Sequence, residues 1–164
     1  MMKAKTLAII LLIAMNIGLD QYSKHMVREQ VVPGSRTEIV GQLVQLMNVE
    51  NSGAFLGIGS DSNPTVKLIF LLILPTLVLG AVLYYLFTNK NLDQLSVIGF
   101  SSIVGGGIAN LYDRFVYGSV TDFIFMDFGF AKTGIFNAAD LSVTTGMVLL
   151  LIASFKSQKG SSKT

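Results

Sequence analysis

The chain has 164 residues, of which 51% are hydrophobic and only 13% are charged, and its mean hydropathy is +0.61. A water-soluble domain carries about 25% charged residues, so this composition indicates a membrane protein, and a net charge of +2 without a basic stripe argues against a nucleic-acid-binding protein. The absence of cysteine excludes disulfides and thiol nucleophiles, and the single histidine, His25, argues against a structural zinc site and against Ser–His catalysis.

Four apolar segments predict four transmembrane helices, at about residues 5–23, 67–88, 94–113 and 138–156. The second and third contain uncharged runs of 22 and 19 residues, which suffice to cross a hydrocarbon layer of ~30 Å. The first and fourth runs have only 14 and 15 residues, so their flanking acids, Asp20 and Asp140, are expected close to the membrane boundary.

A cleaved signal peptide is the alternative for the first segment, because Lys3 and Lys5 precede it. No small-x-small cleavage site follows the segment, and it is therefore expected to remain as a helix. We see no internal repeat and expect residues 1–164 to form one membrane-embedded domain.

Four spans place both termini and the short turn 89–93 on one side of the membrane. These short segments concentrate lysine and carry one acid, Asp93, so the positive-inside rule predicts that they are cytoplasmic. The long loops 25–66 and 114–138 are then outside, together with the helix ends that carry Asp20, Asp113 and Asp140.

The first outer loop has the composition of a β-strand over residues 37–50, with β-branched and aliphatic residues in partial alternation. The glycines of the following segment, Asn51–Gly57, favour a tight turn in close contact with another part of the molecule. The predicted class is therefore all-α membrane protein with a small β-structured element outside.

Two outer acids, Asp122 and Asp140, flank the same 17-residue segment. Asp140 lies three residues after Asn137, a candidate N-cap, so helix capping alone would explain it. Two carboxylates that share a site would instead hold one proton between them and activate water, as in aspartic proteases. The helix dipole would favour ionised Asp140 and leave the proton on Asp122.

Other polar residues fall near this pair. Asn110 and Asp113 continue a helical stripe that begins with Ser102 and Gly106, and small residues on such a stripe predict close helix packing. Arg114 follows Asp113 directly, so one predicted role for Asp113 is an ion pair at the membrane interface. Asp20 and Lys24 have the favourable i,i+4 order, for which a structural role is expected.

These segments resemble the lipoprotein signal peptidase family, also called signal peptidase II. The matching pieces, in the order of the family, are Asp20–Lys24, Asn51–Ala54, Gly106–Arg114, Gly118–Ile124 and Phe136–Asp140. They extend over most of the chain, and five such motifs in sequence are far more specific than one.

The resemblance implies an aspartic endopeptidase of the bacterial inner membrane, which cleaves prolipoproteins before a diacylglyceryl-modified cysteine. By motif, Asp122 and Asp140 would be the catalytic dyad. The residues that match the family's supporting positions are Asp20, Lys24, Asn51, Asn110, Asp113, Arg114 and Asn137. The resemblance also implies a β-structured cradle, a flap loop and inhibition by globomycin. We expect a monomer in contact with membrane lipids, with no metal and no cofactor.

The sequence departs from the family pattern at one point. After Asn51–Ala54 the family usually has a second small residue before an aromatic residue, whereas Phe55 and Leu56 follow directly here.

Two other classes of protein were considered. A proton-coupled transporter would distribute ionisable residues through the depth of the membrane, but here the acids gather at one face. An assembly protein using the glycine stripe would leave Asp122 and Asp140 without a function. The peptidase is therefore the favoured prediction.

Overall fold

The computed structural model describes residues 4–54 and 57–161. Its order of elements is α1 (Ala4–Gln30), β1 (Arg36–Val40), β2 (Val44–Asn51), α2 (Pro64–Thr88), α3 (Gln94–Tyr117), β3 (Val120–Met126) and α4 (Ala138–Ser161). The four helices are long and apolar enough to cross a membrane, and the strands form one small antiparallel sheet. The predicted class, helical membrane protein with an added β element, is confirmed.

Helix α1 has 27 residues, about 40 Å, and continues well past the predicted end at residue 23. The predicted end lies just after the first charged residue, on the assumption that charges lie outside the helix. Here the charged turn that follows the apolar run is buried in the protein. Lys24 and Val27 are both buried, so α1 continues as a packed helix beyond Asp20. Helix α3 likewise extends past residue 113 to Tyr117.

Helix α2 begins at Pro64, where the Asn63 side chain accepts a hydrogen bond from the Val66 N–H at 2.9 Å. Its residues Leu68–Ile73 form a π-helical stretch just before Pro75. Proline lacks an N–H and its ring crowds the carbonyl four residues earlier, and a locally wider helix relieves both problems.

The strand predicted over residues 37–50 is a hairpin of β1 and β2, which turns through Gly41 at a φ of 48°. The third strand, β3, comes from the second outer loop and pairs with β2, which gives the order β1-β2-β3. Because β3 starts three residues after α3 ends, the sheet is attached directly to the outer end of that helix.

Helix α3 is the centre of the bundle, and its three consecutive glycines each face a different helix. A Cβ atom on Gly105 would approach Asn16 of α1 to 2.7 Å, and one on Gly106 would lie 2.4 Å from the Ala139 carbonyl oxygen of α4. On Gly107 it would approach Leu79 of α2 to 2.6 Å. The small residues therefore allow close packing on three sides, as the sequence predicts.

Candidate active site

Asp122 and Asp140 face one cavity of about 320 Å³. Asp122 lies on β3 and Asp140 in the first turn of α4, so the sheet and the bundle each contribute one carboxylate. The polar lining comes from Asn51, Asn110, Arg114 and Asn137, with the two aspartates. The remaining wall is apolar and includes side chains of α2, α3 and α4. The cavity thus joins a polar end to an apolar region between helices.

Asp122 is nearly buried, with 4% of its surface exposed, and two asparagines hold its carboxylate. The Asn51 side-chain amide donates to Oδ2 at 2.9 Å and the Asn137 amide to Oδ1 at 2.6 Å. Burial raises the pKa of Asp122 to about 6, and the charge of Asp140 adds to the rise. The hydrogen bonds from Asn51 and Asn137 oppose this rise in the pKa without cancelling it.

Asp140 both caps its helix and faces Asp122 across the cavity lining. Its Oδ2 accepts the Asn137 backbone N–H at 3.2 Å, while the Asp140 N–H donates to Asn137 Oδ1 at 3.0 Å. This reciprocal pair is a capping box, and the predicted N-cap at Asn137 is confirmed. The other oxygen, Oδ1, accepts from the Asn110 amide at 2.8 Å. Capping therefore uses only one of the two carboxylate oxygens.

Asn110 connects the two carboxylates to a cluster of charged side chains on α1 and α3. Its Oδ1 accepts from Lys24 Nζ at 2.8 Å and from the Asn137 amide at 3.2 Å. With its oxygen held by these donors, the Asn110 amide group must point its N–H toward Asp140. The two carboxylates are thus linked through Asn110 and Asn137.

The cluster consists of fully buried charges. Lys24 Nζ lies 2.7 Å from Asp20 Oδ2 and 2.9 Å from Asp113 Oδ2, and none of these three side chains is exposed. Asp20 also accepts the backbone N–H of Ala139 at 2.8 Å through Oδ1. An acid of α1 therefore caps the helix that carries Asp140, and the predicted pairing of Asp20 with Lys24 is observed.

The predicted ion pair between Asp113 and Arg114 is wrong. Asp113 pairs with Lys24 and with Arg28, at 2.9 and 3.1 Å, whereas Arg114 donates to the carbonyl oxygens of Gly53 and Asn110, at 2.9 and 3.3 Å. Adjacent residues of a helix point in different directions, so they do not face each other.

Two residues of this network were missed at the sequence level. Gln21 donates to Asp113 Oδ1 at 2.9 Å and to the Ala109 carbonyl at 3.2 Å. Arg28 bonds Thr121 Oγ1 at 2.7 Å, directly beside Asp122 on β3. Arg28 lies four residues after Lys24, and this helical spacing is the signal that could have identified it.

The turn after β2 is held by Asn51 as well. Its Oδ1 accepts the Gly53 N–H at 2.9 Å, and its amide also donates to the Ala54 carbonyl at 3.1 Å. A Cβ on Gly53 would lie 2.7 Å from backbone atoms of Gly57 and Ile58, so this glycine lets the turn fold tightly on itself. The predicted contact with another part of the molecule is made by Arg114, which donates to the Gly53 carbonyl. Phe55 and Leu56, the departure from the family pattern, lie outside the described residues.

Among the residues that the structure describes, no group of three or more histidine, aspartate or glutamate side chains could hold a metal ion.

A family model and individual relatives match this chain over most of its length, and they agree with one another. The family model described as Signal peptidase (SPase) II matches residues 12–156. The lipoprotein signal peptidase of Streptococcus pneumoniae is 35% identical over 158 residues, which cover 96% of this chain and 97% of that protein. The lipoprotein signal peptidase of Streptococcus thermophilus is 34% identical over 145 residues, which cover 88% and 90%.

Two solved structures, each described as a bacterial membrane enzyme determined by the in meso method, share the fold. The structure at 2.3 Å resolution has a TM-score of 0.82 and 27% identity, over 93% of this chain and 90% of that chain. The structure at 1.9 Å has a TM-score of 0.77 and 25% identity, over 91% and 93%.

Proposed function

Because this chain belongs to the signal peptidase II family, we propose that it removes signal peptides from bacterial prolipoproteins with water activated between Asp122 and Asp140. The observation that carries the proposal is that two carboxylates from different elements line one cavity, together with the amides that orient them. This arrangement suits amide hydrolysis by an aspartic mechanism, which needs one ionised and one protonated carboxyl group.

Asp140 is the base in this proposal and Asp122 is the acid. Asp140 accepts two N–H donors at the start of α4, a setting that suits the base, whereas burial raises the pKa of Asp122 to about 6 and favours Asp122 as the acid. Asp140 takes a proton from water as the oxygen attacks the scissile carbonyl carbon, and Asp122 gives its proton to the carbonyl oxygen. As the resulting gem-diol collapses, the C–N bond breaks and the leaving nitrogen takes the proton from Asp140, while Asp122 recovers its own.

The surrounding residues orient this pair. Asn51, Asn110 and Asn137 hold the carboxylate oxygens by hydrogen bonds. Beneath them, Asp20, Lys24 and Asp113 fix Asn110 and the start of α4, and Arg114 fixes the turn at Gly53.

The apolar walls suit a substrate anchored in lipid. A diacylglyceryl-modified cysteine keeps its acyl chains in the bilayer, and cleavage on the amino side of that cysteine places the scissile amide at the polar end of the cavity. We propose that globomycin inhibits the protein by occupying the same cavity. The sheet would act as the cradle and the residues between β2 and α2 as the flap.

We further propose that the chain is one domain and a monomer in the bacterial inner membrane, in contact with its lipids. Its termini would be cytoplasmic and its carboxylates would lie at the outer face, because the lysine-rich short segments lie on the opposite side.

The test is cleavage of a purified lipidated prolipoprotein by the full chain in lipid nanodiscs. We expect Asp122→Asn and Asp140→Asn each to lower kcat by about 10³-fold or more. Glu29→Gln is the matched control, because this exposed acid near the end of α1 does not line the cavity, and it should retain wild-type activity. Mass spectrometry of the products should place the cut directly before the modified cysteine. Full activity of either variant of the pair would refute the dyad.

A further inference from the structure

The end of the sheet away from the cavity exposes apolar side chains that the proposed reaction does not use. The register pairs Asn51 with Val120 at the cavity end and Val44 with Met126 at the opposite end. The side chains exposed at this opposite end, here called the distal tip, are Ile39, Val40, Leu43, Phe128 and Phe130. Phe130 is the extreme case, with 93% of its surface exposed.

The turn that carries the two phenylalanines is well defined, so their exposure is a property of the fold. Asp127 Oδ1 accepts the Gly129 N–H at 3.0 Å, and the Phe128 N–H donates to the Ala131 carbonyl at 2.8 Å. Gly129 has a φ of 80°, and a salt bridge of 2.8 Å between Lys132 and Asp127 closes the turn. A turn held in this way keeps Phe130 almost fully exposed and Phe128 about half exposed.

The sheet is joined to the membrane-facing surface of the bundle. Aromatic side chains are exposed near the ends of α1 and α3 that lie beside the sheet, namely Tyr22, Tyr112, Phe115 and Tyr117, here called the aromatic belt. Side chains of this kind favour a membrane–water interface. The guanidinium group of Arg28 lies 4.2 Å from the centre of the Tyr117 ring and bonds Thr121 of β3. The start of β3 is therefore fixed at the level of this belt.

Both ends of the segment that carries the turn lead into spanning helices. It leaves α3 at Tyr117 and reaches α4 at Ala138, so the tip is tethered at both sides to the membrane.

We propose that the distal tip inserts Phe128 and Phe130 into the headgroup region of the outer leaflet, so that the sheet rests on the bilayer that the helices span. The tip is connected through β3 to the level of the aromatic belt, and aromatic rings beside a lysine, here Lys132, suit the boundary between headgroups and acyl chains. This docking holds the strand that carries Asp122 from two sides, by α3 and by lipid.

A lipid surface fits the tip better than a second copy of the chain does. With about 200 Å² for a fully exposed aromatic side chain, the exposed fractions of the five residues amount to no more than about 600 Å². A stable protein interface buries about 800 Å² on each partner, which the tip does not supply. Insertion of two rings into a membrane already bound by four helices requires no such area.

The composition of the chain makes the test direct. The sequence has no tryptophan, so Phe130→Trp creates a protein with one indole fluorophore. The full-length variant is placed in nanodiscs of phosphatidylcholine and phosphatidylglycerol, with and without bromine on the upper acyl carbons of the phosphatidylcholine. Phe115→Trp, in the belt, gives the reference for an interfacial residue. Gln30→Trp, at the end of α1 about 15 Å beyond Asp20, gives the reference for an aqueous one.

We expect brominated lipid to quench Phe130→Trp about as strongly as Phe115→Trp, with a blue-shifted emission maximum, and Gln30→Trp much less. Quenching of Phe130→Trp no stronger than that of Gln30→Trp would overturn the proposal. A blue shift that depends on two copies in one disc and is insensitive to bromine would overturn it in favour of a protein contact. Phe128→Trp provides a second reading of the same turn, and the measurement is independent of which residues are catalytic.

Discussion

At the scale of single residues, the proposed dyad is asymmetric because its two carboxylates have different supports. Asp140 shares its oxygens between a helix cap and an asparagine, whereas Asp122 depends on side-chain amides alone. Asp140 accepts a backbone N–H at the start of α4, while burial raises the pKa of Asp122 and favours its neutral form. This difference in surroundings is the basis for the roles of base and acid proposed above.

The raised pKa of Asp122 predicts that stability falls as the pH rises. Between about pH 4 and pH 6 the folded protein keeps a proton on Asp122 that the unfolded chain has lost, so unfolding becomes easier as the pH increases through this range. The cost at neutral pH is on the order of 3 kcal/mol at most. Asp122→Asn cannot ionise and should lack this loss.

Thermal unfolding in nanodiscs at pH 4.5 and pH 7.5 measures the effect. We expect the Tm of the wild type to drop relative to that of Asp122→Asn between the two values. We also expect kcat/KM of the wild type to fall above pH 6 as the acid of the free enzyme loses its proton. Parallel Tm values for the two proteins at both pH values would contradict the raised pKa.

The buried ammonium group of Lys24 leads to a second prediction, which concerns the stability of the fold. Lys24→Met leaves Asp20 and Asp113 buried with Arg28 as the remaining cation, which should destabilise the protein by about 3–5 kcal/mol. The double variant Lys24→Met/Asp20→Asn removes one of the two acids and should recover part of the loss. Equal Tm values for the single and double variants would show that Asp20 is not the group left unpaired.

Lys132→Met is the matched control for that experiment. Its salt bridge is mostly exposed, since 61% of the Lys132 side chain is accessible, and such pairs contribute little to stability. Its Tm should remain near that of the wild type.

The nine site residues predicted from the sequence all lie in or beneath the cavity. They could be identified from the sequence because each belongs to a short motif that is continuous in the chain. What the sequence did not provide is the set of partners across the fold. Asp113 meets Lys24 and Arg28 of another helix, and only the packing of α1 on α3 determines that choice. Gln21 was missed for the same reason, since its partners lie far away in the chain.

At the scale of elements, α3 determines the geometry of the site through its glycines. Gly106 is in direct contact with the backbone at Ala139, one residue before Asp140, so the distance between α3 and α4 also sets the distance between Asn110 and Asp140. A change of one methyl group on Gly106 therefore reaches the proposed dyad.

Gly106→Ala should consequently destabilise the protein by about 1–3 kcal/mol and weaken activity, because its Cβ would lie 2.4 Å from a carbonyl oxygen that cannot move without its helix. Gly80→Ala is the matched control. It lies in α2 with nothing within 4 Å of the new Cβ, and helix propensity predicts a gain of up to about 1 kcal/mol. The Tm of Gly106→Ala should fall below that of the wild type, whereas the Tm of Gly80→Ala should rise above it. Cleavage should be slower for Gly106→Ala. Unchanged Tm and cleavage rate in Gly106→Ala would show that α3 and α4 can separate freely.

The lengths of the elements show where sequence patterns stop being informative. The two long uncharged runs fix α2 and α3 well, because lipid requires unbroken apolar surface. The end of α1 could not be predicted, since its charged turn is stabilised by burial against α3 and the sheet rather than by its own composition. The strand β3 was equally hidden, because its seven residues gain a partner only when β2 lies beside them.

At the scale of the whole molecule, the orientation in the membrane decides which compartment supplies the substrate. Both termini and the turn around Lys90 lie on one side by parity, and the cavity with its carboxylates lies on the other. Lysine near the ends of spans stays in the cytoplasm, so the cavity is expected to open outward. Secreted prolipoproteins would then reach it only after their mature part has crossed the membrane.

The absence of cysteine allows this orientation to be measured with single substitutions. In intact cells that have a permeable outer envelope, a membrane-impermeant maleimide should label Asp61→Cys, which is exposed in the loop before α2, and leave Lys90→Cys unlabelled. Detergent permeabilisation should then make Lys90→Cys reactive, which serves as the control for accessibility. Labelling of Lys90→Cys alone in intact cells would place the carboxylates in the cytoplasm. A lipidated cysteine in the outer leaflet would then be separated from them by the whole bilayer, so the same result would contradict the proposed cleavage as well as the orientation.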